Sequence, residues 1–386
     1  MAWKAVSIVE TRLEFVVRVL AKEQPLAALC REYGITRRVG RKWVKRFMAE
    51  GESGLKDRSK RPKGNARSLH EDVAAAIVRI RKPNHWGCGV NLRPLLLREF
   101  PTERVPAART IDRFLKKSGL VSEKKRRRVK PTTRLQTKAV AEQPNDIWTI
   151  DFKGWWFTQD HHRCEPLTLR DDFSRYLLCL HGMRRIRWEL VQEVMTDVFL
   201  ANGLPLTIRS DNGAPFAHAS SLAGLTQLSA WWLALGIGLD RIDPGRPDQN
   251  GGHERMHRDM ARQVERYPEA NLGMQQAALN QWRDHFNSVR PHSALGFVTP
   301  NEVYRQSARK FPGKQFEIEY PNHFEVRKVT RNGWIKRNQK GIFISGALAG
   351  WTLGLEEEPD GILKVWFAEV CLGRTDKNLM KLITPE

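Results

Sequence analysis

Cysteine is scarce in this chain and never paired. Cys30, Cys88, Cys164, Cys179 and Cys371 are scattered, odd in number and nowhere spaced as C-x-x-C. That excludes a disulfide framework and a zinc ribbon, and makes a reducing cytoplasm the expected compartment. Long hydrophobic runs are missing as well. No stretch reaches the roughly 18 apolar residues of a spanning helix, and the N-terminus lacks the charged-then-apolar order of a secretory leader, so no membrane partner is expected. Apolar residues as such are plentiful: at 41% of 386 residues they exclude a disordered chain and suffice for the cores of roughly two to four domains.

Acidic charge is short only at the front. Residues 1–140 carry 35 Lys and Arg against 13 Asp and Glu, and the remainder carries 30 of each, so the whole excess of +22 sits in the N-terminal third. A basic third joined to a neutral remainder is the footprint of a nucleic-acid-binding module attached to something else. A solubility surface is the plainer reading, but it does not account for so local an excess.

The front third reads as helices. Residues 25–33 place Leu26, Leu29 and Cys30 at helical spacing, Gly34 breaks the pattern, and Thr36 stands where it can cap a second helix. That helix puts Val39, Trp43 and Phe47 on one face as core. Arg37, Arg38, Arg41, Lys42 and Lys45 crowd the others as candidate DNA contacts. Helix, glycine turn and basic helix is the helix-turn-helix pattern, whose second helix enters the major groove. A similar unit follows in helices at 69–81, 91–100 and 106–117, the last presenting Arg109, Arg113 and Lys116. The runs at 57–63 and at Lys124, Lys125, Arg126, Arg127 and Arg128 suit either solvated linkers or phosphate contact.

From about residue 145 the pattern changes. A strand is expected at 147–157 with Asp151 in its middle, then strands at 166–170 and 175–181, a helix at 188–200, a strand at 205–210, and helices at 222–235 and 252–264. Strands followed by helices indicate an α/β domain with one twisted sheet. Beyond residue 311, period-two runs at 316–320, 324–329, 341–344 and 362–367 suggest a small C-terminal β-barrel or sandwich. The expected domains are thus a helix-turn-helix domain at 1–60, a second helical DNA-binding unit at 65–122, a basic linker at 123–142, an α/β core at 143–308 and a β-rich domain at 311–386.

Three acidic residues carry the chemistry. Asp151 lies in Trp148-Thr149-Ile150-Asp151-Phe152, Asp211 in Arg209-Ser210-Asp211-Asn212-Gly213, and Glu254 in Asn250-Gly251-Gly252-His253-Glu254-Arg255. A DNA phosphodiester is attacked in line only if cations hold the charge developing on the attacking and leaving oxygens, and such cations need hard carboxylate ligands. A rival overlaps the third acid: His253-Glu254-Arg255-Met256-His257 is a literal H-E-x-x-H, the pattern of a zinc metalloprotease, although that reading leaves Asp151, Asp211 and the basic front unexplained. His161, His162 and Cys164 form a further candidate metal cluster, against the simpler reading of a turn with exposed histidines.

At these residues the segment 145–305 resembles the integrase core of DDE transposases from bacterial insertion sequences. The resemblance rests on Trp148 to Phe152, Asp171-Asp172-Phe173-Ser174-Arg175-Tyr176, Ser210-Asp211-Asn212-Gly213, the run Pro244-Gly245-Arg246-Pro247-Asp248-Gln249-Asn250-Gly251 before Glu254, and the tail Asn287-Ser288-Val289-Arg290-Pro291-His292, Leu295 and Thr299-Pro300. It implies a ribonuclease H-like fold shared with retroviral integrases, and Asp151, Asp211 and Glu254 as a catalytic triad binding two Mg²⁺ or Mn²⁺ ions. It implies cleavage at an element's ends, attack of a freed 3′-hydroxyl on target DNA, and a homo-oligomer on DNA in a bacterial nucleoid. Asp211 and Glu254 stand further apart than in retroviral relatives, which suggests an insertion near 217–226. Asp171 and Asp172 read as structural, Arg246 and Arg255 as phosphate contacts, and Asn212 and Asn250 either as groups orienting a carboxylate or as turn residues. A DNA-binding regulator that keeps the fold without the chemistry stays open as a second class of function.

Overall fold

The computed structural model describes residues 7–58, 69–84, 86–121, 139–218, 221–243, 246–337, 340–359, 361–375 and 381–383. The chain divides into two compact units, residues 1–68 and 69–386.

In the first unit, Ser7 caps α1 (Ile8–Leu20) through a capping box with Glu10, and α2 (Leu26–Glu32) ends before Gly34 at φ +65°. Thr36 caps α3 (Arg37–Glu50), its hydroxyl accepting the Val39 N–H at 3.4 Å. Phe15, Val16, Leu29, Cys30, Trp43 and Leu55 form the buried core, with Val39 and Phe47 packed against it, so the expected core face of the second helix is in place. α1 is a third helix that the sequence pattern alone does not single out.

The second unit begins with α4 (Glu71–Arg81), α5 (Gly89–Glu99) and α6 (Ala108–Lys117) around Ile77, Leu92, Leu96, Ile111 and Leu115. The Asp112 carboxylate accepts the Gly89 N–H at 2.6 Å and ties the start of α5 to α6.

A mixed sheet follows: β1 (Ile147–Phe152), β2 (Trp156–Phe157), β3 (Arg163–Asp171), β4 (Leu177–Met183), β5 (Thr207–Ser210) and β6 (Gly238–Arg241). The order is β2-β3-β1-β5-β6, with β4 also pairing β3. β3 runs antiparallel to β1, whereas β5 is parallel to β1 and β6 to β5. Helices cover both faces. α7 (Trp188–Asn202) and α8 (Gln227–Ala234) bury Trp148, Ile150, Leu167 and Leu169 on one side. α9 (Gly251–Met260) and α10 (Leu272–Ser288) bury Trp156, Cys164, Leu177 and Leu180 on the other, and the short α11 (Pro300–Val303) closes the core segment.

Several expectations are corrected here. The expected strand at 147–157 is two strands, because Gly154 at φ +91° turns the chain between them. The helix expected at 222–235 begins only at Gln227, because Thr226 and Ser229 form a capping box. β6 and α10 lie outside the elements expected from the sequence.

The C-terminal strands do not close into the expected barrel among the described residues. β7 (Glu325–Lys328), β10 (Thr352–Glu357), β11 (Leu363–Phe367) and β12 (Val370–Thr375) make a four-stranded antiparallel sheet, and β8 (Trp334–Arg337) pairs only with β9 (Lys340–Phe343). The two sheets share a core with Leu225 and Ala230 of the α8 region. Residues 316–320 belong to neither sheet and are held by side chains instead: Phe316 lies 5.7 Å from Trp351, and the Tyr320 hydroxyl donates to the Thr352 carbonyl at 2.9 Å.

None of the five cysteines is in a disulfide. Among the described residues no helix is long and apolar enough to cross a membrane.

Candidate active site

Side chains alternate along a strand, and on β1 this sorts chemistry from core. Trp148, Ile150 and Phe152 pack beneath α7 and α8, which sends Thr149 and Asp151 to the opposite face. Across the antiparallel ladder Thr149 faces Arg170 and Asp151 faces Thr168, so four polar residues share that face. Across the parallel ladder Thr149 faces Arg209, and two residues further along both strands come Asp151 and Asp211. Asp211 is the first residue beyond β5, where its Oδ1 accepts the Gly213 N–H at 3.1 Å. The Asn212 amide donates to the Ile242 carbonyl at 2.6 Å, and buried Phe216 stacks on Phe152 at 5.5 Å, which anchors the loop.

Glu254 comes from the first turn of α9 and is exposed, while His253, Met256 and Met260 turn inward from the same helix. Arg170 sets the height of that first turn. Arg170 is 4% exposed, and its guanidinium donates to Asp172 at 2.9 Å. A Cβ at Gly252 would lie 2.1 Å from its Nη2, whereas one at Gly251 would meet nothing within 4 Å. Gly to Ala in a helix ordinarily gains up to ~1 kcal/mol, and Gly251→Ala is expected to show part of that gain in urea unfolding. For Gly252→Ala the overpacking cost of ~1–3 kcal/mol wins, and net destabilisation is expected. Equal effects at both positions would mean that Arg170 yields.

Asp151 feels the other two carboxylates. Burial raises Asp151 from 3.8 to about 7, with the Asp211 charge as the next cause and Glu254 as a smaller one, against a backbone hydrogen bond that lowers it. The Asn250 amide reaches the Asp151 Oδ2 at 3.5 Å. A hard divalent cation suits this donor set, because it supplies the positive charge that the crowded carboxylates need. Asp171 does other work: it accepts the Asn145 and Ser174 N–H groups, each at 2.7 Å. Asp172 pairs with Arg170 at 2.9 Å and Arg175 at 2.8 Å.

Beside Asp151 lies a threonine–histidine network. The Thr168 hydroxyl is 2.9 Å from the Asp151 carbonyl, 3.0 Å from His253 Nδ1 and 2.9 Å from His257 Nε2. His253 is fully buried, and its Nε2 meets Thr149 Oγ1 at 2.7 Å. Burial, with Arg170 and His257 nearby, lowers its pKa well below the usual value. Both ring nitrogens of His253 are therefore engaged by threonines, and the H-E-x-x-H motif lacks a free first ligand. Asp151, His253 and His257 do bring three potential ligand atoms within 4.8 Å of one another. The other candidate cluster is a turn: His161 has φ +60°, His162 pairs with Asp160 at 2.8 Å and Cys164 is buried.

Of the expected DNA contacts, Arg37, Arg38, Arg41, Lys42 and Lys45 lie along α3, and Arg109, Arg113 and Lys116 along α6. Arg255 is exposed on α9, one residue past Glu254, and Arg246 is half-buried in the preceding loop. Lys124, Lys125, Arg126, Arg127 and Arg128 lie outside the described residues. Sequence reasoning misses Thr149, Thr168 and Arg170 as neighbours of the site. A sequence signal for Arg170 is a cation directly after the apolar Leu167 and Leu169.

A family model of the integrase core domain matches residues 141–247, and a second integrase core domain model matches 235–300. A helix-turn-helix domain model matches 11–63 and a homeodomain-like domain model 39–115. An uncharacterized 39.2 kDa protein of insertion element IS476 from Xanthomonas euvesicatoria is 27% identical over 231 residues, which cover 59% of this chain and 63% of that protein, short of two thirds of its length. An uncharacterized 31.7 kDa protein of insertion element IS407 from Burkholderia multivorans is 27% identical over 195 residues, 50% of this chain and 67% of that protein. Among solved structures, the HTLV-2 integrase catalytic core domain in complex with magnesium is 17% identical, covering 42% of this chain and 99% of its own, at TM-score 0.33. The simian T-cell lymphotropic virus intasome in complex with PP2A regulatory subunit B56 gamma is 13% identical, covering 64% and 81%, at TM-score 0.35.

Proposed function

We propose that this chain, matched by integrase core and helix-turn-helix domain models and similar to insertion-element proteins, is a transposase that binds the ends of its element and carries out metal-dependent DNA strand cleavage and strand transfer. The observation that carries this reading is the placement of Asp151 on β1 and of Asp211 just past the end of its parallel neighbour β5, with Asp211 and Glu254 both close enough to raise the Asp151 pKa. In this reading the three carboxylates hold two Mg²⁺ or Mn²⁺ ions. When bound, such ions activate a water or a DNA 3′-hydroxyl and stabilise the leaving oxygen.

The protein's own contribution is positioning. Asn250 steadies the Asp151 carboxylate, and Thr168 fixes the strand and helix beside it. Arg255, and Arg246 from the loop before α9, contact phosphate near the scissile bond. The basic faces of α3 and α6 grip the duplex, and the protein works as a homo-oligomer that holds two ends together, associated with bacterial DNA. The domains at 1–60, 65–122, 143–308 and 311–386 divide these tasks, with the linker at 123–142 joining grip to chemistry.

The test is nicking and strand transfer on DNA carrying the element's ends, with Mg²⁺ or Mn²⁺, comparing wild type with Asp151→Asn, Asp211→Asn and Glu254→Gln. DNA binding that persists while all three variants cease to cut supports the reading. A wild type that binds these ends but never cuts under either metal points to a DNA-binding regulator.

The grip has its own signature. Every B-DNA phosphate that a bound protein neutralises adds about 0.9 to the steepness of log K against log salt. Replacing Arg37, Arg41 and Lys45 together with Ala is expected to flatten that slope by up to about 2.7, as measured by fluorescence anisotropy across a salt series. An unchanged slope would remove α3 from the interface.

A further inference from the structure

His257 is the half of the H-E-x-x-H motif that the proposed chemistry leaves unused. The proton count at Thr168 fixes its state. That hydroxyl has one proton and three neighbours within 3.0 Å, of which the Asp151 carbonyl can only accept. His253 Nε2 faces the Thr149 carbonyl at 3.1 Å, so this neutral ring holds its proton on Nε2 and its Nδ1 accepts; the single Thr168 proton goes to the Asp151 carbonyl or to His253 Nδ1, and His257 Nε2 donates to the Thr168 oxygen. With its proton held on Nε2, His257 turns a bare Nδ1 lone pair toward Asp151, whose Oδ2 is 3.9 Å away. This separation is too long for a hydrogen bond, yet two bonds of about 2.1 Å each to a shared cation can span it. Both side chains keep an opening to solvent, at 12% exposure for His257 and 26% for Asp151.

We propose that His257 Nδ1 is a ligand of the divalent ion held by Asp151, which makes one of the two metal positions a mixed carboxylate–imidazole site selective for Mn²⁺ over Mg²⁺. The proposal rests on the metal-dependent reading above and adds a ligand to it. Mg²⁺ takes oxygen donors, whereas an imidazole favours transition ions. Burial, then the Lys153 and Arg170 charges, push His257 down to about 3, so the ring is neutral and able to coordinate at neutral pH. His253 is not part of the site, because Thr149 and Thr168 occupy both its nitrogens.

The test uses the full chain with Mn²⁺ as probe, read by electron spin-echo modulation and by Mn²⁺ titration. Wild type is expected to show a ¹⁴N imidazole coupling that converts to ¹⁵N in protein labelled at histidine. His257→Gln is expected to lose that coupling and to bind Mn²⁺ at least about tenfold more weakly, while the Mg²⁺ affinity changes less. Mn²⁺ bound in an Asp151-dependent way without nitrogen coupling, or with a coupling that His257→Gln leaves in place, overturns the proposal and leaves the carboxylate site standing. Absence of any Asp151-dependent Mn²⁺ binding overturns both. If His257→Gln does not fold, His257→Asn and the histidine-labelled wild type decide the same question.

Discussion

Asp151→Asn is expected to lose at least about 10³-fold in strand cleavage while binding element-end DNA as tightly as wild type. The amide matches the carboxylate in shape but lacks its charge, and cation-based stabilisation of a phosphoryl-transfer transition state is worth several kcal/mol, of which ~4 kcal/mol is a factor of about 10³. DNA affinity is spared in this reading because the grip comes from the cations arrayed along α3 and α6. Asp211→Asn and Glu254→Gln are expected to fall as far. Because groups that share ions act as a unit, the double variant Asp151→Asn with Asp211→Asn should be little worse than either single change. Quantitative nicking assays check both points. Cleavage within tenfold of wild type in Asp151→Asn would remove this residue from the chemistry, and additive losses would mean that the carboxylates serve separate steps.

The elements built on strong local signals are legible in the sequence. The Thr36 cap, the glycine before it and the Trp43 face define α3 without outside help, and the β1 run announces a buried strand in Ile147, Trp148 and Ile150. Asp151 stands out as a carboxylate set between the apolar Ile150 and Phe152 of that run. What stays hidden depends on contacts remote in sequence. α10 is recognised only by the sheet face it covers, since Trp282 and Phe286 are spread among polar neighbours. Arg170 and Thr168 join the site because β3 lies against β1 in one register, and no local pattern encodes a register. His253 and His257 are visible as a motif, but their environment decides their chemistry: two threonines from different strands take up the first ring and orient the second. The C-terminal alternation does encode strands. It does not say which edges meet, and the segment 316–320 satisfies its alternation by packing on Trp351 and Thr352 without a partner strand.

The same Asp151→Asn change is expected to make the metal-free protein more stable at neutral pH. In the folded chain Asp151 keeps its proton up to about pH 7, whereas in the unfolded chain it gives the proton up near its usual 3.8. The native state therefore binds the extra proton between these values, and the stability this group allows is fully present below about pH 4 and lost as pH rises through 7. About three pKa units at 1.36 kcal/mol each set a ceiling on the order of 4 kcal/mol. Asparagine stands in for the protonated acid at every pH, so the two proteins should match near pH 4 and diverge up to about pH 7.5. His253, His257 and His292, all pushed down by burial, act in the opposite direction, since they must gain protons on unfolding below about 6.5. They remain in both proteins and largely cancel in the difference. A bound cation should close the gap from the other side: it stabilises wild type by RT ln(1 + [L]/Kd) and the variant far less. Urea unfolding in EDTA at pH 4.5 and 7.5, repeated with Mn²⁺, measures all of this. If Asp151→Asn is the less stable protein at pH 7.5 without metal, the carboxylate is held by favourable contacts and is not strained by its neighbours. The gain, if found, marks Asp151 as a residue whose charge opposes folding until a cation offsets it.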